Sequence, residues 1–132
     1  MVTAFLRRGE RVLLLRRSHL VGTFRGRWAG VSGSIPEGVS PLEQALREIR
    51  EETGLGPGQV ALERVGRPLL VVDEQGRRWE VHPFLFRLVG DPPIRLDWEH
   101  TEARWVRPED IPRFPTVPGL PETWARLEES DG

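Results

Sequence analysis

The sequence predicts an α/β layered domain in which a mixed set of strands packs around one strong helix. Three observations support this class: short aliphatic segments between turn residues, a capping signal followed by a helical apolar stripe, and a second helical segment late in the chain. A chain of 132 residues is long enough to bury one core. We therefore expect a single domain over residues 1–132.

The first segments of the chain predict a β-hairpin followed by a loop. Val2–Leu6 and Arg11–Arg16 are mostly apolar, and Arg8-Gly9 between them is a turn signal. Ser18–Arg27 contains several Gly and Arg residues and predicts a loop. Trp28–Ser34 consists mainly of small and aliphatic residues, which indicates a short strand or a loop whose backbone approaches its neighbours closely.

The strongest element is the helix that follows. Ser40, Pro41 and Glu43 fit the N-cap, N1 and N3 positions of a capping box. Gly54 is the expected left-handed residue that ends the helix. The side chains expected to form its buried stripe are Leu42, Ala45, Leu46, Ile49 and Thr53.

The second half of the chain predicts further strands and a final helix. A turn at Asp73-Glu74-Gln75-Gly76 joins two of the strands. A short helical turn is expected at Pro108–Ile111, and a helix at Glu122–Glu128 after Pro121. The predicted strands of this half are Val60–Val65, Arg67–Val72, Arg78–Leu88 and Ala103–Arg107.

Composition excludes several classes of function. The formal net charge is −1, from 19 basic and 20 acidic residues, so the chain has no overall field for an extended nucleic acid. The absence of cysteine excludes disulfides and thiolate metal sites. No apolar run approaches the length needed to span a membrane. We expect a cytoplasmic protein that binds no membrane.

The end of the predicted helix carries an unusual concentration of acidic residues. Glu48, Glu51 and Glu52 are spaced i, i+3 and i+4, so they share one patch of helix surface. Each like-charge pair costs roughly 0.2–0.5 kcal/mol, and the negative end of the helix dipole favours cations instead. The pattern therefore predicts a bound divalent metal ion among these carboxylates.

The segment from Gly33 to Leu55 resembles the signature of the Nudix hydrolase (MutT-like) family, the Nudix box. That pattern is Gly, five residues, Glu, seven residues, then Arg-Glu-aliphatic-x-Glu-Glu-x-Gly-aliphatic, and its spacing is intact here. The stretches Trp28–Gly33 and Arg104–Ile111 are also similar to segments common in Nudix proteins. The resemblance implies a Nudix-type α/β/α sandwich with a mixed β-sheet.

The same resemblance implies an activity and a metal site. The expected reaction is hydrolysis of a diphosphate bond in a nucleoside diphosphate derivative, such as a nucleotide sugar, a dinucleotide or a nucleoside triphosphate. The cofactor implied is Mg²⁺, with Mn²⁺ as a substitute, held by Glu48, Glu51 and Glu52 and by a backbone carbonyl at Ser32 or Gly33. Magnesium suits such a site because it takes oxygen ligands and keeps several waters.

Family roles for the remaining catalytic groups leave alternatives open. Arg47 is expected to orient the carboxylates through hydrogen bonds. The general base in Nudix enzymes comes either from the box or from a downstream loop, so Glu48, Glu99 and Glu102 compete for it. Glu99 is the preferred downstream choice, because Asp97-Trp98-Glu99-His100 precedes the Ala103–Arg107 strand.

Substrate-binding residues are predicted from the loop and from the aromatic residues. Arg25 and Arg27 are candidates for binding phosphates through bidentate hydrogen bonds. They could equally be surface residues without a function. Trp28 and Trp79 are the candidates for stacking on a base, whereas Trp105 and Trp124 are expected in the core. We expect surface or structural roles, and no zinc site, for the scattered residues His19, His82 and His100.

One box position departs from the family pattern. Val39 stands where the family has a Glu that supports the box Arg, so Arg47 needs another partner, for which Glu43 and Glu37 are candidates. This departure keeps a second hypothesis open, a catalytically weak Nudix domain that binds a nucleotide for regulation. The expected partner is a nucleoside diphosphate-linked small molecule, and the resemblance also leaves a homodimer open.

Overall fold

The computed structural model describes residues 1–129, and the last three residues of the predicted domain lie outside the described part. Its helices are α1 (Pro41–Thr53) and α2 (Leu120–Glu129), and two 3₁₀ segments span Pro57–Gln59 and Pro108–Arg113. Its strands are β1 (Val2–Arg8), β2 (Arg11–Arg17), β3 (Trp28–Ala29), β4 (Val31–Gly33), β5 (Val60–Val65), β6 (Leu69–Val72), β7 (Arg78–Leu88) and β8 (His100–Val106).

The strands form one mixed sheet centred on β1. The strand order is β3-β2-β1-β7-β5, and β4, β6 and β8 pair with β1, β7 and β2 respectively. The β1–β7 pair is parallel, with Val2 opposite His82 and Arg7 opposite Arg87. The other pairs between the named strands are antiparallel. This arrangement confirms the predicted mixed sheet.

Each face of the sheet is covered by helical structure. Alternate residues of β1 point to opposite faces, as expected for a strand. Leu6 lies in a core with Ala45 and Ile49 of α1, whereas Phe5 lies in a second core with Leu120 and Leu127 of α2. Since α1 and α2 belong to these two separate cores, the predicted α/β/α sandwich is confirmed.

Helix α1 begins and ends where its caps predict. The side chain of Ser40 accepts a hydrogen bond of 3.1 Å from the backbone N–H of Glu43, and Gly54 has a left-handed φ of 78°. The buried face differs from the predicted stripe, because Gln44 and Glu52 are buried while Leu42 is exposed. Two polar side chains therefore occupy the inner face of a helix whose apolar pattern predicts otherwise.

The downstream strand also differs from its prediction. Strand β8 starts at His100 rather than Ala103, because a β-bulge allows it to continue pairing with β2: Arg16 lies opposite Glu102, and Arg17 lies opposite His100. Bulges bend a strand and re-aim its side chains. No helix among the described residues is long and apolar enough to cross a lipid bilayer.

Candidate functional site

A cleft of about 590 Å³ lies beside the end of β4 and the start of β7. Two groups of side chains and backbone segments line it. One group contains Ser32 and Gly33 of β4 and the next residue, Ser34, together with Arg17 and Glu99. The other, which we name the aromatic wall, consists of Phe24, Arg77, Arg78 and Trp79. The cleft is therefore polar on one side and aromatic on the other.

Glu52 is the most buried acidic side chain at this site, with only 1% of its surface exposed. Its Oε1 accepts a weak hydrogen bond of 3.4 Å from the backbone N–H of Ser32 and lies 3.5 Å from Nε2 of His100. Its Oε2 is buried and receives no hydrogen bond from an N–H or hydroxyl donor among the described residues, and the carboxyl group is in hydrogen-bonding contact with Glu48 only when one of the two is protonated. A buried carboxylate oxygen without a partner is costly, so it indicates a site that a ligand completes.

The charge state of Glu52 supports the same conclusion. Burial, and next a hydrogen bond between the protonated Glu52 and the adjacent Glu48 carboxylate, raise the pKa of Glu52 to about 11, and the charges of Glu48 and Glu99 raise it further. In the absence of a cation this carboxyl group therefore holds its proton at neutral pH. A divalent cation between the carboxylates would replace that proton, because it neutralises the charges that raise the pKa.

Glu48 is held against the backbone of β4. Nε2 of Gln44, one turn earlier on α1, donates a hydrogen bond of 2.9 Å to Oε1 of Glu48. A Cβ atom at Gly33 would overlap the Glu48 carboxylate and lie 2.7 Å from its Oε2. The first glycine of the box is therefore required here because the carboxylate occupies the space of a side chain.

Replacing Gly33 by Ala should preserve the fold and damage the site. The added methyl group meets the flexible end of Glu48 rather than backbone, so Glu48 can move away. A displacement of about 1 Å in a catalytic group can cost roughly 10²-fold in rate, and we expect a loss of about that size in kcat/KM. The matched control is Gly58→Ala, where a Cβ meets nothing within 4 Å. Equal kcat/KM values for the two variants would contradict the crowding argument.

Glu99, the preferred downstream candidate for the base, lies near the box carboxylates. Its backbone carbonyl accepts a hydrogen bond of 2.7 Å from the N–H of Ser18, which anchors the loop before β8. Burial raises the pKa of Glu99, and Asp97, Glu48 and Glu51 raise it further. The competing Glu102 instead pairs with surface Arg side chains, at 3.0 Å from Nε of Arg104 and 3.8 Å from Arg16. The structure thus brings Glu99, not Glu102, to the cleft.

His100 is a site residue that the sequence did not distinguish. Of the surface or structural role expected for it, the structure excludes the surface position, because His100 is 6% exposed and its Nε2 faces Glu52. Its Nδ1 lies 2.9 Å from Oδ1 of Asp97, and burial lowers the pKa of the ring although Asp97 opposes this. The β8 bulge lies between His100 and Glu102, and it turns the side chain of His100 inward. Its place directly after Glu99 was the only signal available in the sequence.

The arginine predictions need correction. Arg25 and Arg27, the predicted phosphate grips, do not line the cleft. Nε of Arg25 donates to the carbonyl of Val21, and Nη1 of Arg27 donates to the carbonyl of Thr116. Arg17 does line the cleft, and burial lowers its pKa while Glu99 and Glu52 raise it. Arg17 of β2 also donates to the loop, from Nε to the carbonyl of Thr23 at 2.9 Å and from Nη2 to its hydroxyl at 3.2 Å, but unlike Arg25 and Arg27 it lines the cleft.

Of the two residues predicted to stack on a base, Trp79 lines the cleft and Trp28 does not. Trp28 is only 5% exposed and packs edge-on against Phe114, with ring centroids 5.5 Å apart, so its faces are unavailable to a ligand. Trp79 lies in the aromatic wall, 6.3 Å from the ring of Phe24. Trp105 and Trp124 pack against the two cores, as predicted.

Arg47 does not contact the carboxylates that it was expected to orient. Within residues 1–129 its ion pair is with Glu43, at 3.7 Å on the outer side of α1, and both side chains are more than half exposed. Of the two partners proposed for it, the structure therefore selects Glu43 over Glu37. The contacts that hold the carboxylates come from Gln44 and from the N–H of Ser32.

The ligand set predicted for the metal is brought together in part. Glu48 and Glu52 are adjacent, whereas Glu51 is exposed on the same helix. Among residues 1–129, no three acidic or histidine side chains already converge at the spacing of bound ligands. The contact of Ser32 with Glu52 is made through its N–H, so a carbonyl ligand at Ser32 or Gly33 stays a prediction, as does Glu51. The buried, unpartnered Oε2 of Glu52 is the observation that fits a cation.

Comparisons with known proteins indicate the family to which the chain belongs. The family model described as NUDIX domain matches residues 1–127. The chain is 36% identical over 124 residues to an octanoyltransferase of Myxococcus xanthus, which covers 88% of this chain and 32% of that protein. It is 31% identical over 105 residues to an RNA pyrophosphohydrolase of Erythrobacter litoralis, which covers 67% of this chain and 64% of that protein.

A solved structure agrees with the sequence comparisons. The crystal structure of a MutT protein from Methanosarcina mazei Go1 matches with a TM-score of 0.75 and 26% identity, over 97% of this chain and 91% of that chain. The matched segments span 32% and 64% of the two curated relatives, so the chain corresponds to a part of each.

Proposed function

Because this chain belongs to the Nudix family, we propose that it is a metal-dependent hydrolase that cleaves a diphosphate bond in a nucleoside diphosphate derivative. The observation that carries the proposal is the buried Glu52 carboxyl group, whose Oε2 receives no hydrogen bond from an N–H or hydroxyl donor of residues 1–129 and which lies against the Glu48 carboxylate. A helix selected for stability alone would not bury a carboxyl group next to a second one. The RNA pyrophosphohydrolase relative supports a phosphoric anhydride as the bond that is cleaved.

The residues that would hold the cation are Glu48 and Glu52, with Glu51 and a backbone carbonyl at Ser32 or Gly33 as further oxygen ligands. The cation proposed is Mg²⁺, with Mn²⁺ as a substitute, because the donor set consists of oxygen atoms and contains no cysteine. When bound, such an ion supplies charge neutralisation for the two phosphates of the scissile bond.

Glu99 is the residue that we propose as the general base. It lines the cleft, and its position near Glu48 and Glu51 explains part of its raised pKa. A carboxylate whose pKa is raised toward the working pH accepts a proton more effectively. Arg17, on the wall of the same cleft, would pair with a phosphate oxygen through a charge-assisted hydrogen bond.

The aromatic wall is the proposed site for the nucleoside part of the substrate. The rings of Phe24 and Trp79 line the cleft, and the guanidinium group of Arg77 lies over one face of the Phe24 ring, 5.5 Å from its centroid. Phe24 is the one non-glycine residue among residues 1–129 with a positive φ, at 50°. Such backbone conformations are uncommon outside glycine, and here the conformation places the ring in the wall of the cleft.

Replacing Trp79 by Ala is expected to raise KM about tenfold with little change in kcat. Stacking of a base on an aromatic ring contributes roughly 1–3 kcal/mol, and it is present in both the bound and the transition state. Steady-state kinetics on the best substrate measure the effect. The control is Trp98→Ala, because Trp98 is 64% exposed and does not line the cleft. A fall in kcat with an unchanged KM would exclude a stacking role.

The proposal is tested by incubating the purified protein with Mg²⁺ and a panel of substrates. The panel contains dinucleotides, nucleotide sugars, nucleoside triphosphates and a short RNA, with released phosphate or nucleotide measured by chromatography. Metal-dependent hydrolysis of at least one member is the expected result. Hydrolysis of none, together with tight binding of one, would reject the enzyme and favour the regulatory nucleotide-binding domain that the Val39 departure keeps open.

A further inference from the structure

Gln44 is a buried polar residue that the box pattern does not specify and the predicted apolar stripe does not include. It lies on the inner face of α1, where only 7% of its surface is exposed. Buried amides are normally hydrogen-bonded at both ends, because an unpaired polar atom loses its water without compensation. The hydrogen-bond partners of the amide nitrogen and the amide oxygen therefore indicate what Gln44 does.

One end of the Gln44 amide is satisfied by Glu48. Nε2 donates the hydrogen bond of 2.9 Å to Oε1 of that carboxylate. The orientation of the amide follows from this contact, because the opposite orientation would place the amide oxygen against a carboxylate oxygen, and neither atom could donate. Oε1 of Gln44 is therefore the amide atom that makes no hydrogen bond to Glu48.

The other end has no hydrogen-bond partner among the residues that the structure describes. Oε1 of Gln44 and Oε2 of Glu52 are the only buried side-chain polar atoms of residues 1–129 without a hydrogen-bond partner. Both belong to side chains that contact Glu48: Gln44 donates a hydrogen bond to it, and the protonated Glu52 carboxyl group is hydrogen-bonded to it and repelled by its charge when ionised. Since both side chains contact the same carboxylate, a hydrated cation bound at Glu48 offers a partner for each unpaired acceptor.

We propose that Gln44 is a positioning residue of the cation site. Its Nε2 holds the Glu48 carboxylate, and its Oε1 accepts a hydrogen bond from the hydration shell of the divalent cation. A hydrated Mg²⁺ ion suits both unpaired atoms, because Glu52 supplies a direct oxygen ligand and Gln44 supplies an acceptor for a water. This inference rests on the metal site of the proposed function and extends it to a residue that the box does not specify.

The test replaces Gln44 by Met, which keeps the length of the side chain and removes both hydrogen-bonding ends. Mn²⁺ binding to the metal-free protein is followed by electron paramagnetic resonance, and thermal unfolding is recorded with and without Mg²⁺. Groups that support metal ligands typically change affinity by about 10- to 100-fold, so we expect the Mn²⁺ dissociation constant to rise at least about tenfold. The melting temperature of the metal-free protein should be unchanged or higher, and the increase caused by Mg²⁺ should shrink.

The control is Ile49→Val on the same helix, which removes a buried methylene-sized volume without touching Glu48. It should lower the melting temperature and leave the Mn²⁺ affinity unchanged. Gln44→Leu provides a second apolar variant in case the Met variant does not fold. Wild-type Mn²⁺ affinity in the variants would overturn the role of Gln44 and leave the proposed function intact. An absence of Mn²⁺ binding by the wild type would overturn both.

Discussion

Replacing Glu52 by Gln should lower kcat by about 10²- to 10⁴-fold without unfolding the protein. A metal ion that neutralises transition-state charge contributes several kcal/mol, and each 1.36 kcal/mol corresponds to a factor of ten. The fold should survive because the carboxyl group of Glu52, with a pKa raised to about 11, is already uncharged in the metal-free protein. Glutamine has nearly the same shape as that protonated carboxyl group, so it creates no cavity and no buried charge.

The measurement compares kcat at saturating Mg²⁺ with the melting temperature in EDTA. Glu43→Gln is a matched control, because Glu43 lies on the same helix but pairs with Arg47 on its exposed side. The control should keep a rate close to that of the wild type. A Glu52→Gln variant with near-normal turnover would remove Glu52 from the metal site and with it the main support for the proposed reaction.

The free energy of unfolding of the metal-free protein should fall as the pH rises. The pKa of Glu52 is raised in the folded state, from an ordinary value of 4.5 to about 11, so the folded chain keeps a proton that the unfolded chain has released. The stability that this proton provides is therefore fully present below pH 4.5 and is lost progressively up to about pH 11. One proton corresponds to a slope of about 1.4 kcal/mol per pH unit.

Chemical denaturation of the wild type and of Glu52→Gln in EDTA between pH 7 and pH 9 isolates this effect, because the terminal amine of Met1, whose pKa burial lowers from 8.0, contributes equally to both proteins. Burial lowers the pKa of His100, so that ring is neutral in both states above its ordinary value of 6.5 and adds no slope in this range. The Glu52→Gln variant should lack the fall in stability that Glu52 causes, and saturating Mg²⁺ should also remove it from the wild-type curve, because metal binding displaces the proton. Parallel curves for wild type and variant in EDTA would mean that Glu52 is ionised in the folded protein.

Local rules in the sequence were sufficient for the elements that carry the site. Ser40 and Gly54 cap α1 through contacts within a few residues, so the bounds of the helix could be predicted from the sequence. The spacing of Glu48, Glu51 and Glu52 likewise placed them on one helix because helical periodicity is a local property. The two apolar segments and the Arg8-Gly9 turn between them similarly predicted the first hairpin.

Residues whose position in the site depends on contacts with segments far away in the sequence could not be identified from local rules. His100 reaches Glu52 because a bulge in β8 re-aims its side chain, and Arg17 reaches the cleft because β2 pairs with β8. Trp28 was a reasonable stacking candidate in the sequence, but the second core covers it. Arg25 and Arg27 bond to nearby carbonyls, which depends on how the loop closes on itself and on the segment around Thr116.

The sequence alone determined the capped helix, the acidic patch on it and the α/β class, because these follow from spacing along one chain segment. Tertiary structure decided which carboxyl group is buried and what holds its neighbour. Glu52 and Gln44 face inward because α1 packs on the sheet at β4 and β1, and an apolar pattern cannot anticipate polar residues on that face. Burial by a distant strand sets the local dielectric environment, and that environment sets the charge of Glu52 and its capacity to bind a cation.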